Sequence, residues 1–368
     1  MKAQDLTTAY RDPAVARALL EQIRRTVAGY SGQMTLMEVC GTHTMAIYQH
    51  GIRALLPEEV RLISGPGCPV CVTPVDYVDR AVALARRPGT IITTFGDMVR
   101  VPGSSSSLIR EQAQGADVRV VYSPLDAVAV AERNPEAEVV FLGVGFETTT
   151  PTVAGAILAA QSRGLTNFSV LGSHKTMPAP MMALTSDPDL QVDGYICPAH
   201  VSAIIGADAY KPIVEACKVP CVVTGFEPLD MLRGILMLAR QVVEGRAEVE
   251  NEYARVVRPE GNARARQILE TVFEPCDARW RGIGVIPGSG LRIRAAYDAF
   301  NAEVKLPVAV EEPVEHRGCK CGEILKGKVR PGDCPLFRKV CTPEDPVGAC
   351  MVSSEGTCAA EYKYGCQF

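Results

Sequence analysis

The sequence predicts an α/β protein: two Rossmann-like parallel-sheet α/β domains followed by a loop-rich, cysteine-dense C-terminal region. Three observations lead there. A length of 368 residues suits two or three domains of roughly 150 residues each. A unit recurs along the chain, in which a short apolar run ends in a Gly, Pro or Cys turn and a capped helix follows. Finally, of 14 cysteines, seven follow Asn301, while none lies between Val72 and Tyr195.

Taken in order, residues 1–30 read as a helical segment that packs on the rest, with Leu19, Leu20, Ile23 and Val27 at helical spacing and a stop at Gly29. A first α/β domain spans 31–125. Its apolar runs Thr35–Val39, Val60–Ser64, Ile91–Thr94 and Val118–Tyr122 lead into CGTHT, GPGCPVCVTPVD, FGDMVRVPG and SPLDAVAVAER. A second spans 126–260. There Val139–Val144 leads into GFETTTP, Phe168–Leu171 into GSHKTMPAP, Tyr195–Cys197 into PAHVSAIIG and Cys221–Thr224 into GFEPLDMLRG. Gly-Phe-Glu recurs at Gly145 and Gly225, a weak sign of two related layers, since strand, turn and Pro-started helix is common α/β grammar. Residues 261–368 carry a Gly-rich IGVIPGSGL stretch, a helix through Arg294–Phe300, and a tail too poor in apolar periodicity to build a core. Such a module needs a metal or cross-links.

Composition narrows the function. Lys and Arg total 38 against 42 Asp and Glu, so no global positive field favours nucleic acid or an anionic membrane as a partner. The polar start and the lack of any run of ~18 apolar residues predict a cytoplasmic protein without a membrane span. In a reducing compartment, clustered cysteines point to metal or thiol redox chemistry rather than a disulfide framework.

Three cysteine groups carry that chemistry. In the tail, Cys319, Cys321, Cys334, Cys341, Cys350, Cys358 and Cys366 lack the paired short spacings of zinc ribbons. Thiolate-only coordination fits an iron–sulfur cluster at least as well as zinc, with the cluster type left open. Cys68 and Cys71 form a CxxC before a helix for which Thr73, Pro74 and Asp76 offer a cap, a first residue and a capping box. Cys71 is thereby expected at a helix N-terminus with a lowered pKa, as a redox-active dithiol. Cys40 and His43, at the end of an apolar strand, suit either a nucleophile–base pair or two ligands of one metal. Asp97, Glu147, His174, His200 and Glu227 fall on the same sheet edge, and Asp97 and Glu147, each at a glycine turn, are the best functional carboxylates among them. His50 and His316 read as surface residues, and Cys197, Cys217, Cys221 and Cys276 as buried packing.

CGTHT, GPGCPVC, GDMVRVPG, GFETTTPT, GFEPLD and the cysteine tail, in that order, resemble the HypD family of nickel–iron hydrogenase maturation proteins over nearly the whole chain. The resemblance implies a scaffold with thiol-redox activity that assembles the Fe(CN)2CO unit as transient cargo. Its partners would be a HypC-type chaperone and a HypE-type cyanide donor, with the hydrogenase large subunit served indirectly. It implies a 4Fe-4S cluster on Cys319, Cys334, Cys341 and Cys358, and leaves Cys321 and Cys350 as a thiol pair that forms a relay with Cys68 and Cys71. It places the cargo iron on Cys40, with His43 nearby. Two departures stand out: Ala199 where glycine is expected, which weakens a role for His200, and Cys366, which reads as a spare surface thiol. The alternatives are a stand-alone iron–sulfur-dependent thiol–disulfide oxidoreductase similar to ferredoxin–thioredoxin reductase, and a structural zinc module without redox function.

Overall fold

A computed structural model of the chain describes residues 8–365; the predicted start of the chain up to residue 7, and Cys366, lie outside the described residues. The N-terminal helix, Pro13–Val27, begins at Asp12, whose carboxylate accepts the Ala14 N–H at 2.7 Å. It buries the four expected residues, Leu19, Leu20, Ile23 and Val27, against the helix Pro228–Val243.

Eleven strands follow: β1 Met34–Glu38, β2 Val60–Ser64, β3 Thr90–Thr94, β4 Asp117–Val120, β5 Glu138–Gly145, β6 Phe168–Lys175, β7 Gly194–Pro198, β8 Cys221–Thr224, β9 Val249–Asn251, β10 Phe273–Trp280 and β11 Gly284–Ile293. Each of the eight predicted strands is present, with its ends moved by a few residues. They form two sheets. The first is wholly parallel, in the order β2-β1-β7-β8-β9; the second is β10-β11-β6-β5-β3-β4, parallel except for the β10–β11 hairpin and its antiparallel edge on β6. Strands buried along their whole length, such as β1, β3, β7 and β8, read as continuous apolar runs because helices cover both faces.

The sheets partition the chain differently from the predicted division at residue 125. The chain leaves the first sheet after β2, builds β3–β6 of the second, and returns at β7, so each half of the sequence supplies strands to both. Residues 263–293 likewise belong to the second sheet, as the helix Ala263–Val272 and the β10–β11 hairpin, rather than to the tail. Periodicity marks a strand but not its partner, because a parallel connection leaves the choice of neighbour open. The predicted helix through Arg294–Phe300 is a 3-10 turn over Ala295–Phe300. Both sheets have a switch point, between β1 and β7 in the first and between β3 and β5 in the second, where the strand order reverses and a crevice opens at the carboxyl ends. No helix among the described residues is long and apolar enough to cross a membrane.

Candidate functional site

Cys40 follows β1 at the first of these crevices. It precedes the helix Gly41–Gln49 as its N-cap, and it is 8% exposed. Pairing of β1 with β2 brings the GPGCPVC loop alongside: Gly41 donates its N–H to the Gly67 carbonyl at 3.0 Å, and Gly65 donates to the Glu38 carbonyl at 2.7 Å. The approach is so close that a Cβ on Gly67 would lie 2.1 Å from the Cys40 nitrogen, so only glycine fits. Burial, and then the Glu355 carboxylate, push the Cys40 thiol up to about 12, against the backbone N–H groups of His43 and Thr42, which favour the thiolate.

Glu38, which the sequence reading did not single out, is fully buried beneath this cysteine. Its carboxylate accepts the Cys40 N–H at 3.1 Å and the Thr44 hydroxyl at 2.5 Å, and burial raises its pKa to about 7. Glu355, also unforeseen, reaches in from the tail and accepts the Thr42 hydroxyl at 2.7 Å. His43 shares the helix but turns away into the neighbouring strand's turn. Its Nε2 lies 2.9 Å from the Thr224 carbonyl and 3.1 Å from that of Gly225, and its ring rests on Phe226, 4.8 Å between centroids. Burial lowers its pKa to about 4, so it is a neutral imidazole with Nδ1 unpartnered among the described residues. His200 is exposed on the other side of Phe226, 4.3 Å from it.

Cys68 and Cys71 form a disulfide, with Cα atoms 5.2 Å apart. Cys68 itself begins the short helix Pro69–Val72, and its sulfur accepts the Cys71 N–H. The expected capping differs: Pro74, not Thr73, precedes the helix Val75–Ala85, and the Thr73 hydroxyl instead bonds the Pro69 carbonyl. Cys71 is thus inside a turn and oxidised, so the lowered thiol pKa argued from a helix N-terminus does not apply in this state. Cys71 Sγ lies 4.0 Å from the Ala349 carbonyl, next to Cys350, because the turn Ala349–Val352 packs on Pro69–Val72.

Six tail cysteines, Cys319, Cys321, Cys334, Cys341, Cys350 and Cys358, line one small cavity with Ile324, Leu336, Phe337, Gly348 and Met351. Cys321 and Cys350 are in thiol contact at 2.9 Å. The donor set is sulfur alone, with no imidazole or carboxylate on the cavity wall. No three His, Cys, Asp or Glu side chains among the described residues close on a single-ion position. Thiolates spread around a cavity suit a multi-iron cluster better than one tetrahedral ion. The tail is fastened to the body at Tyr48, whose hydroxyl donates to Glu361 at 2.7 Å, and at Arg100, which donates to the Pro343 and Val352 carbonyls.

The remaining predicted residues scatter. Glu147 is buried after β5; one oxygen accepts the Met177 N–H at 3.0 Å, the other has no partner among the described residues, and burial raises its pKa to about 7. Asp97 is half-buried in the turn Gly96–Arg100, and among the described residues no hydrogen bond or ion pair engages it. Glu227 pairs with Arg11, and His174 is a buried neutral ring against Phe273. His316 is exposed and His50 half-buried; Cys197 and Cys221 are buried, whereas Cys217 and Cys276 are only half-buried. The largest cleft runs along the outer edge of β2 past Arg53, Arg61 and Arg330, and no cysteine lines it.

Comparison with known proteins agrees with this geometry. The family model HypD, described as a hydrogenase formation hypA family, matches residues 14–365. The chain is 50% identical over 365 residues to the hydrogenase maturation factor HypD of Azotobacter vinelandii, covering 97% of this chain and 96% of that protein. It is 45% identical over 362 residues to the hydrogenase maturation factor HypD of Escherichia coli, covering 96% of each. The hydrogenase expression/formation protein HupD of Azotobacter chroococcum mcd 1 is similar at 50% identity over 365 residues, covering 97% of this chain and 96% of that protein.

Proposed function

The chain belongs to the HypD family of hydrogenase maturation factors, and on that premise we propose that it is the scaffold on which the Fe(CN)2CO unit is assembled, with thiol redox chemistry beside the iron. The observation that carries the reading is the convergence of three cysteine groups far apart in sequence: Cys40 against the Gly67 backbone, Cys71 against Ala349, and Cys350 against Cys321. In this reading Cys40 holds the cargo iron. A thiolate is an apt ligand for soft low-spin iron, and iron charge offsets the burial that disfavours the anion. Glu38 and the Gly67 loop fix the Cys40 backbone, and His43, as a neutral ring anchored on Thr224 and Gly225, shapes the crevice. A HypC-type chaperone and a HypE-type cyanide donor would deliver to this crevice, and the hydrogenase large subunit would receive the product through them.

Cys319, Cys334, Cys341 and Cys358 would hold a 4Fe-4S cluster, for which the all-sulfur cavity is suited. When bound, the cluster supplies single electrons. The Cys321 and Cys350 dithiol would pass two electrons and two protons to the Cys68–Cys71 disulfide, leaving itself oxidised and that pair reduced beside Cys40. The runner-up is a stand-alone oxidoreductase that uses the same relay on a protein disulfide. Cys40→Ala separates them: the scaffold loses bound iron, measured by metal analysis after anaerobic purification with the small partner, while its dithiol turnover persists. Wild-type iron content in that variant would reject Cys40 as the ligand. Stoichiometric zinc without acid-labile sulfide would reject the cluster.

A further inference from the structure

Arg281 lies between the two thiol pairs. It follows β10 in the turn to β11, and its side chain is only 5% exposed. Its backbone N–H donates to the Val72 carbonyl at 2.9 Å, one residue past Cys71. The next residue, Gly282, sits at φ +69 with its Cα against Gly322; a Cβ there would lie 2.1 Å from the Gly322 Cα, immediately after Cys321. Trp280 pins the turn from the other side, buried on Phe146 and donating to the Ser289 hydroxyl at 2.7 Å.

The guanidinium is poorly compensated. Its ion pair is with Glu315, at 3.7 Å from Nε, and that carboxylate is 47% exposed. Its Nη1 is buried without a hydrogen-bond partner among the described residues. A buried cation with so weak a partner costs several kcal/mol unless something anionic faces it. Hydrogen bonding to Cys321 and burial drive the Cys319 thiol upward, and Arg281 pulls the other way; it pulls on Cys321 in the same direction. The guanidinium is therefore within charge range of both tail cysteines.

We propose that Arg281 is the buried countercharge of the tail cysteine site, offsetting the negative charge of the thiolates around the cavity and raising the reduction potential of the cluster they hold. The inference rests on the cluster reading of that cavity. A fixed positive charge favours the more negative, reduced state, and net charge near the sulfurs is among the main determinants of cluster potential. Arg281 acts through the ligands and not on the cargo, so it is a positioning residue and not a catalytic one.

The test is a dithionite titration of anaerobically reconstituted full-length protein, followed by electron paramagnetic resonance, in wild type, Arg281→Met, Arg281→Lys and Glu315→Gln. In Arg281→Met the ratio of oxidised to reduced cluster at a fixed potential should rise about tenfold, a fall of ~59 mV for a one-electron couple. Arg281→Lys should keep most of the wild-type potential. Glu315→Gln removes the opposing exposed carboxylate and should move the potential the other way, by less because water and salt screen it. A purely structural role predicts no such sign-opposed pair. An unchanged potential in Arg281→Met at wild-type iron and sulfide content overturns the inference and leaves the cluster reading standing. If Arg281→Met does not fold, an unmoved potential in Glu315→Gln overturns it. A wild type that takes up no acid-labile sulfide overturns both.

Discussion

Glu147 offers a quantitative handle on the GFETT turn. Its carboxyl is 4% exposed, one oxygen has no partner among the described residues, and burial raises its pKa from the ordinary 4.5 to about 7, against the backbone N–H groups of Glu147 itself and Met177. The sign follows from linkage. The raised folded-state pKa makes its contribution to stability complete below about pH 4.5 and progressively lost up to about pH 7, because only the unfolded chain ionises freely in that window. At ~1.4 kcal/mol per pH unit, this amounts to roughly 3 kcal/mol. Glu147→Gln keeps the bond from Met177 but cannot ionise. The stability of wild type relative to the variant should therefore drop by roughly 3 kcal/mol between pH 4.5 and pH 8. Urea unfolding read by the fluorescence of Trp280, the one tryptophan of the chain and stacked on the adjacent Phe146 at 5.9 Å, reports on this spot. A difference between the two proteins that stays constant across the window would refute the argument.

Three further outcomes follow from the tail. Gly348→Ala places a Cβ 2.8 Å from Cys319 Sγ, so iron and sulfide content should fall sharply while circular dichroism stays near wild type. Tyr48→Phe removes the 2.7 Å bond to Glu361 and should cost about 1–3 kcal/mol, read as a lower melting temperature and earlier proteolysis within the tail. The double variant Cys321→Ser, Cys350→Ser should retain the cluster spectrum yet leave Cys68–Cys71 oxidised when the cluster is reduced, as alkylation and mass spectrometry would show; loss of the cluster would reassign the ligand set.

Much of the architecture was legible because local rules decide it. Val60–Ser64 and Cys221–Thr224 are strands at the predicted residues, and Leu19, Leu20, Ile23 and Val27 face the core as their spacing demands. What local rules do not reach is pairing. The chain leaves and re-enters the first sheet, and no residue of β2 or β7 announces that both flank β1. The hairpin was hidden by composition: FEPCDARW alternates charged with apolar residues, and GVIPGSGL carries Pro and Gly inside a strand. At the site, the motif cysteines stood out by spacing, whereas Glu38, Glu355 and Arg281 did not. A carboxylate ending an apolar strand, as in MTLME, is a usable sign of a buried functional group. Glu355 acts on Thr42 across 313 residues, and no sequence pattern encodes that contact.

The central claim is that Cys40 carries the iron cargo in a crevice served by the thiol relay. Infrared spectroscopy of the anaerobically prepared protein with its small partner tests it most directly, in wild type and in Cys40→Ala. The account predicts bands from cyanide and carbon monoxide bound to iron in wild type and their loss in the variant. Bands of wild-type intensity in Cys40→Ala would contradict it.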